Sequence, residues 1–218
     1  LALCLTLLPT AAWAEETDAP EGGAPAADEQ PAVQSEPAPQ AAAVQAAAEA
    51  AVAQVDGVNY GNIQEAFDAV KQSNGATVKL LQDVTIPTNA DGHSFGIELT
   101  GGNITLDLNG CTIQTTGGAS GFVQRDAVFY INDGSSLIVQ DKSTDGGGKI
   151  VQPNGGQAIH VVGALTVESG AIEVTSTNES GSNTDIIRDK NCAVFLNGGG
   201  TANILGGTLT GKQGIYVK

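Results

Sequence analysis

A short apolar pattern recurs four times between residues 106 and 209, and this repeat limits the folds open to the chain more than any other feature. The segments are LDLNGCTI (106–113), LIVQD with GGKI (137–150), LTVESGAI (165–172) and ANILGGTL (202–209). In each, apolar residues stand at i and i+2, and another follows a turn. The aligned apolar positions predict a shared core, which comprises Leu106, Leu108, Ile113, Leu137, Val139, Leu165, Val167, Ile172, Ile204 and Leu209.

A second set of strand-like segments, VFYIN, AIHVV, AVFLN and GIYVK, begins at residues 128, 158, 193 and 214. The chain therefore reads as strand, turn, strand, turn, strand, with loops of unequal length between units. Alternate residues of a strand point to opposite faces, so the apolar residues point inward and the Thr, Asp and Glu residues between them point outward. Units stacked about 4.8 Å apart pair every backbone group with the unit above or below. The pattern predicts an all-β fold, a parallel β-helix.

A β-sandwich is the alternative, because it also gives short strands at regular spacing. It would join the repeats through hairpins, and Asn109-Gly110 is by itself a strong hairpin signal. The equivalent positions in the three later segments instead predict a corner at Asn109-Gly110, between two inward-facing strands.

One helix is predicted ahead of the repeats, from Asn62 to about residue 73. Asn62 is the expected N-cap, and Glu65 stands at N3 as in a capping box. The apolar residues recur at helical spacing on one face and are Ile63, Ala66, Phe67 and Val70. An amphipathic helix needs a surface to cover, and we expect it to cap the open end of the strands.

The chain before this helix has two parts. Residues 1–14, LALCLTLLPTAAWA, are apolar, too short to span a bilayer, and end in Ala-Trp-Ala, as in a signal peptide that lacks its own start. Residues 15–53 are rich in Ala, Pro, Glu and Gln, hold no aromatic residue, and predict a disordered linker. Residues 54–218 form the predicted β-helix domain. It ends in a strand with no cap, so we expect a longer domain in the whole protein and a secreted, cell-surface location.

The formal net charge is −15, and residues 15–53 contain no Lys or Arg. This balance argues against nucleic acid and anionic membranes as partners, and no membrane span is expected in the mature chain. An acidic chain suits the extracellular space and attracts divalent cations. Cys111 and Cys192 lie in strand-like surroundings without a metal-binding spacing. We expect two small buried residues, with a disulfide between them as the alternative.

Three stretches carry a family resemblance: GNIQEAFDAV from residue 61, ATVKLLQDVT from residue 76 and ITLDLNGCTI from residue 104. Together they resemble the N-terminal cap and first rungs of pectate-lyase-like right-handed parallel β-helix domains of secreted and surface proteins of gut bacteria. The resemblance covers residue 54 to the end. It implies a right-handed β-helix, but that family includes lyases, hydrolases, adhesins and wall-associated proteins, so it implies no single activity.

Enzymes of the family that this chain resembles have sequence patterns with which the chain can be compared. Asn183-Thr184-Asp185 matches one hydrolase motif, but the chain has neither the Asp-Asp pair nor the Gly-His-Gly that accompany it. A glycosidase needs two facing carboxylates. Lyases of this family bind calcium through clustered acidic residues, and the candidate calcium ligands in this chain are Asp133, Asp141 and Asp145. The simpler interpretation is that these aspartates lie in turns and solvated loops.

Four aromatic residues fall in comparable strands. Phe129 and Phe195 are predicted to stack inside the core. His160 is predicted to be the outward member of its strand, as either a surface histidine or one whose hydrogen bonds are satisfied within the protein. Tyr130 and Tyr216, with Asp185, are candidates for a glycan-binding surface. No complete catalytic set is found, so the sequence predicts a non-catalytic structural or adhesive protein that binds extracellular polysaccharide or a host or cell-wall surface. The alternative is the N-terminal part of a polysaccharide lyase or glycoside hydrolase with its catalytic rungs beyond residue 218.

Overall fold

The computed structural model describes residues 50–71, 73–87, 95–116, 127–153, 155–175 and 191–218. These residues all fall in one compact unit, residues 46–218. The predicted signal peptide, most of the predicted linker and Asp185 lie outside the described residues.

The described residues are mostly β-strand, with one helix. The first elements are β1 (Ala53–Val55), β2 (Val58–Tyr60), α1 (Ile63–Val70), β3 (Asn74–Leu80), β4 (Val84–Ile86) and β5 (Phe95–Leu99). The middle of the chain contains β6 (Asn103–Asp107), β7 (Thr112–Thr115), β8 (Ala127–Ile131), β9 (Ser136–Gln140), β10 (Lys149–Gln152) and β11 (Gly156–Val161). The last are β12 (Ala164–Val167), β13 (Ala171–Val174), β14 (Asn191–Leu196), β15 (Thr201–Ile204), β16 (Thr208–Thr210) and β17 (Gln213–Val217).

From β3 onward, consecutive strands enter three different sheets in turn. The first sheet has the order β15-β12-β9-β6-β3-β1-β2, the second β16-β13-β10-β7-β4, and the third β17-β14-β11-β8-β5. Each group of three consecutive strands, which we call a rung, adds one strand to each sheet. The rungs pair in parallel throughout, and only β1 pairs antiparallel, with β2 and with β3. The segments at 137, 165 and 202 are therefore parallel neighbours and not the hairpins of a sandwich.

Asn109-Gly110 forms a corner between two sheets, as the repeat predicts. Strand β6 ends before it in the first sheet, and β7 begins after it in the second. Asn109 and Gly110 have φ values of 49° and 79°, a left-handed conformation that Asn and Gly tolerate best. The Asn109 side chain donates a hydrogen bond through Nδ2 to the Leu80 carbonyl at 2.9 Å, which fastens the corner to the rung below.

The register of the first repeat differs from the sequence alignment by two residues. Leu106 pairs with Val139, and Ile104 pairs with Leu137, whereas the alignment matched Leu106 with Leu137 and Leu108 with Val139. The segments that begin at residues 137, 165 and 202 pair with one another as the alignment predicts. The residues aligned with Ile113 also pair as predicted. A strand slipped by two residues keeps its apolar residues on the same face, so alternation alone does not distinguish the two registers.

Leu108 shows why the shifted register is correct. It follows β6 and is fully buried at the corner. A Cβ atom added to Gly148 would stand 2.5 Å from Leu108 Cβ, and one added to Gly170 would stand 2.7 Å from Leu108 Cδ1. The leucine thus occupies space at the corresponding corners of the next two rungs, where glycines leave room for it.

The core lies between the sheets and is built from the repeated apolar positions. Eight of the ten predicted core residues are buried: Leu106, Leu108, Ile113, Leu137, Val139, Leu165, Val167 and Ile172. Ile204 and Leu209 pack against the core but are only partly buried. They belong to β15 and β16, the outermost strands, which have a strand neighbour on one side only.

The helix is α1, Ile63–Val70, and it packs its four predicted apolar residues into the core. Its Phe67 ring lies 5.6 Å from the Phe129 ring, between centroids. Asn62 is the N-cap, and its side chain accepts a hydrogen bond from the Gln64 N–H at 2.8 Å. Glu65 lies in the first turn, and the capping donor is one residue earlier than a capping box uses. The helix ends at Val70 with Lys71 as C-cap, before the predicted end near residue 73.

The hairpin of β1 and β2 was not predicted. Its turn is Asp56-Gly57, with φ values of 48° and 83°, and Asp-Gly is a preferred sequence for such two-residue turns. Strand β1 includes Ala53, which is fully buried. This hairpin extends the first sheet beyond β3, and helix α1 contacts all three strands, β1, β2 and β3.

We predict that Leu108→Ala lowers the free energy of unfolding by about 2–5 kcal/mol, because it leaves a cavity at a corner that three rungs share. Chemical denaturation measures the change. Leu205→Ala is the matched control, since Leu205 is 65 % exposed, and we expect it to change stability by less than about 0.5 kcal/mol. Equal effects of the two substitutions would contradict the packing role of Leu108.

Candidate functional site

Four rings line up across the third sheet and form the candidate site. Tyr130, His160, Phe195 and Tyr216 occupy the same register position in β8, β11, β14 and β17. In β8, β11 and β14 the residues on either side of this position pack in or against the core, so the rings point to the opposite face of the sheet. Tyr216 takes the same register position in the end strand β17. We call these four residues the ring column. Glu98 of β5 stands at the same position next to Tyr130.

Each ring of the column contacts the next. The centroids of Tyr130 and His160 are 4.5 Å apart, and those of His160 and Phe195 are 4.7 Å apart with the rings edge to face. Phe195 and Tyr216 are stacked at 5.7 Å, with an angle of 4° between their planes. These distances lie within the range in which aromatic pairs attract one another, and each such pair is worth about 0.5–1.5 kcal/mol. The ring column is therefore a continuous row of contacting rings.

The middle of the ring column is buried and contains a polar pair. His160 and Gln157 are 2 % and 3 % exposed, and His160 Nδ1 lies 3.0 Å from Gln157 Oε1. Residues i and i+3 of a regular strand point to opposite faces. Here all four strand pairings of the third sheet skip the position of Ala158 without a change of register, so Gln157 and His160 approach each other across an interruption that the whole sheet shares.

One sequence prediction about these rings was wrong. Phe129 and Phe195 do not stack, because Phe129 pairs in register with Ile159, whereas Phe195 pairs with His160. His160 is on the outward face as predicted, and of the two alternatives it is the buried histidine with a hydrogen-bond partner. The aligned segments VFYIN, AIHVV, AVFLN and GIYVK already place Tyr130, His160, Phe195 and Tyr216 at one position, so a strict comparison of columns would have found the site. Alternation in the sequence does not indicate the contact between Gln157 and His160, since residues i and i+3 of a strand are expected on opposite faces.

The predicted glycan-contact residues are partly brought together. Tyr130 and Tyr216 stand at the two ends of the ring column, and both are half-buried. Asp185 lies outside the described residues. Glu98 accepts a hydrogen bond from Asn132 Nδ2 at 2.8 Å and places a carboxylate beside Tyr130.

The structure does not bring the three candidate metal ligands together. Asp133 precedes β9 and Asp141 follows it, and a strand of five residues separates its ends by roughly 13 Å. Asp145 is exposed, with a 3.4 Å contact from Thr144 Oγ1. Among the described residues, no group of three or more His, Cys, Asp and Glu side chains is placed to hold a metal ion.

The Asp141 carboxylate is held by the backbone of its own corner. Its Oδ1 accepts from the N–H groups of Gly110 and Ser143 at 2.9 and 3.1 Å, and its Oδ2 accepts from the Gly148 N–H at 2.7 Å. Burial raises the pKa of this carboxyl, but hydrogen bonds from Gly148, Ser143 and Gly110 outweigh it, so the pKa lies below its ordinary value. Asp141 therefore closes the loop between β9 and β10, with its oxygens turned to N–H donors.

Cys111 and Cys192 form no disulfide with each other. Cys111 is half-buried in the corner after β6, and Cys192 is buried in β14 of the third sheet. Burial raises the pKa of the Cys111 thiol, and the nearby Asp83, Asp141 and Asp107 raise it further. The thiol is therefore kept protonated and is a poor nucleophile.

Comparison with family models, curated proteins and solved structures finds no match for this chain. No helix within the described part of the chain is long and apolar enough to cross a membrane. Within the same residues, the ring column offers stacked rings, hydroxyls and one neighbouring carboxylate, a set suited to binding.

We predict that Asp141→Asn lowers the free energy of unfolding by about 1–3 kcal/mol at neutral pH, because hydrogen bonds to a charged acceptor are lost. The folded-state pKa is below the ordinary value of 3.8, so the contribution of Asp141 is complete above that value and is lost as the pH falls through the lower, folded-state pKa. Denaturation of both proteins from neutral to strongly acidic pH should show the difference shrinking below pH 3.8.

Asp145→Asn is the control for this measurement, since Asp145 lies in the same loop but is exposed. It should change stability by less than about 0.5 kcal/mol at any pH. A loss for Asp141→Asn that persists undiminished in acid would show that its charge is not what holds the loop.

Proposed function

We propose that the chain is a non-catalytic, secreted or cell-surface protein whose third sheet binds an extracellular polysaccharide through the ring column. The observation that carries the proposal is the alignment of Tyr130, His160, Phe195 and Tyr216 across neighbouring strands. His160 and Phe195 are each 2 % exposed, so the accessible rings are those of Tyr130 and Tyr216 at the two ends of the column. Three strand spacings place these two rings about 14 Å apart, and two ring contacts in line suit a linear polymer.

We further propose that the three sheets wind as a right-handed parallel β-helix. Each strand returns to its own sheet as a parallel neighbour after passing through the other two sheets. Parallel crossovers are right-handed in about 98 % of known cases, because of the twist of the strands. The sequence resemblance stated above, the apolar leader and the acidic, Lys- and Arg-free segment 15–53 support a surface role for such a rod.

The chemistry of the ring column favours binding over catalysis. His160 Nδ1 contacts Gln157, and the carboxylate at the same register position, Glu98, is two strands away beside Tyr130. Glycoside cleavage needs two carboxylates facing each other across the bond. The described part of the ring column offers one carboxylate, whereas ring faces and hydroxyls are the groups that sugars contact through their C–H and O–H bonds.

We predict that Tyr216→Ala weakens binding to a responsive polysaccharide at least tenfold, which corresponds to about 1.4 kcal/mol. Affinity gel electrophoresis of the full chain against a panel of neutral and acidic plant polysaccharides identifies the ligand, and calorimetry measures the change. Tyr60→Ala is the matched control, because Tyr60 is the one other tyrosine of the chain and lies in the first sheet. It should leave the affinity within about twofold.

The competing enzymatic hypothesis has its own test. The full chain is incubated with pectin or polygalacturonate and calcium, and unsaturated or reducing products are followed over time. We expect none. Product formation that disappears in the Asp141→Ala variant would contradict the non-catalytic proposal, and equal binding by the Tyr216→Ala and wild-type proteins would contradict the role of the ring column.

A further inference from the structure

We propose a second binding site, for a neutral, hydroxyl-rich ligand such as a neutral oligosaccharide, in a groove at the corner between the third and first sheets. The groove has a volume of about 340 Å³ and is lined by polar side chains and corner backbone, within the range of small-molecule sites. We call it the corner groove. None of its lining residues belongs to the ring column, and those with side chains are Asn103, Asp133, Ser135, Ser136, Val162, Ala164 and Thr201.

The corner groove is formed along a column of residues that pair with one another across neighbouring strands of the first sheet. Asn74, Asn103, Ser136, Ala164 and Thr201 pair in sequence across β3, β6, β9, β12 and the outermost strand β15. Because neighbouring strands pair in parallel, these side chains project from the same face of the first sheet. The residues that follow Ser136 and Ala164, Leu137 and Leu165, are buried in the core, so the column faces away from it.

The lower part of this column is closed by hydrogen bonds between side chains. Asn103 donates through Nδ2 to Asn74 Oδ1, and Ser136 Oγ donates to Asn103 Oδ1 at 2.6 Å. At the next strand the column holds Ala164, which has no polar atom, and Thr201 follows. The alanine therefore interrupts the ladder and leaves a recess between the Ser136 and Thr201 hydroxyls, roughly 10 Å apart across two strand spacings.

The walls of the recess are backbone at the sheet corners. Gly163 precedes Ala164, and a Cβ atom there would collide with the carbonyl oxygens of Asn132 and Ser135. Gly134 and Gly199 also line the groove, and a Cβ atom at either would meet nothing within 4 Å. The corner glycines thus keep the opening clear, so a ligand can approach the backbone closely.

Charge selects the class of ligand. No Lys or Arg lines the corner groove among the described residues, and its one charged side chain is Asp133. The chain as a whole carries a net charge of −15. Phosphates, sulfates and uronates would be repelled, whereas the Asp133 carboxylate and the hydroxyls of Ser136 and Thr201 suit the hydroxyl groups of a neutral sugar.

The groove is shallow and holds no aromatic ring, so we expect weak affinity, with a Kd of about 1 mM. Amide-detected NMR titration of the full chain suits this range and reports the position of the ligand. The probes are the neutral hexasaccharides of cellulose, xylan and mannan, with trigalacturonate as the anionic comparison. At least one neutral probe should shift the amide signals of Gly134, Gly163 and Gly199, and trigalacturonate should bind at least tenfold more weakly.

Two variants test the site independently. Ala164→Gln fills the recess, and Thr201→Val removes one hydroxyl from an exposed position. Each should weaken this binding at least fivefold. Ala171→Gln is the matched control, because Ala171 is also half-buried and begins β13 between Lys149 and Thr208, in the second sheet. It should leave binding within about twofold, and thermal melting confirms that each variant is folded.

Tyr216→Ala separates this proposal from the ring column, since it should not change the shifts at the corner glycines. The corner groove would be refuted if no neutral probe shifts those glycines at about ten times the expected Kd, or if trigalacturonate binds as well. It would also be refuted if Ala171→Gln weakens binding as much as Ala164→Gln does.

Discussion

The structure depends on the parallel main-chain ladder that joins each rung to the next. Because the strands pair in register within all three sheets, residues at equivalent positions of successive rungs lie above one another, about 4.8 Å apart. A side chain is therefore surrounded by its counterparts from the neighbouring rungs, which are about 30 residues distant in the sequence. Each column is a separate environment, and its chemistry depends on which residues the repeats place in it.

Three columns show this effect. The inward columns of Leu, Ile and Val form the core. The column of Tyr130, His160, Phe195 and Tyr216 becomes a row of contacting rings, although each residue alone is an ordinary strand residue. The column of Asn103, Ser136, Ala164 and Thr201 becomes a polar ladder with a recess at the alanine.

The corners impose the second constraint, since they connect sheets while keeping the ladder in register. Asn109 donates a hydrogen bond to the Leu80 carbonyl, and Asp141 accepts hydrogen bonds from three backbone N–H groups. Leu108 fills the space that Gly148 and Gly170, which have no side chain, leave at the corners of the next two rungs. The acidic residues that the sequence offers as metal ligands thus serve the backbone at corners or lie at opposite ends of a strand. Residues close in sequence, such as Asp133 and Asp141, are separated by the strand between them.

Repetition and alternation in the sequence alone determined that this chain forms short strands with a shared inward face, that a capped helix precedes them, and that Asn109-Gly110 is a corner. These features depend on local spacing, which the sequence displays directly. Only the tertiary structure decided the register of the first rung, because a shift of two residues preserves every inward face and is resolved by the volume of Leu108 at the corner. It also decided that His160 is buried beside Gln157, because alternation predicts residues i and i+3 of a strand on opposite faces, whereas the ladder of the third sheet is interrupted between them.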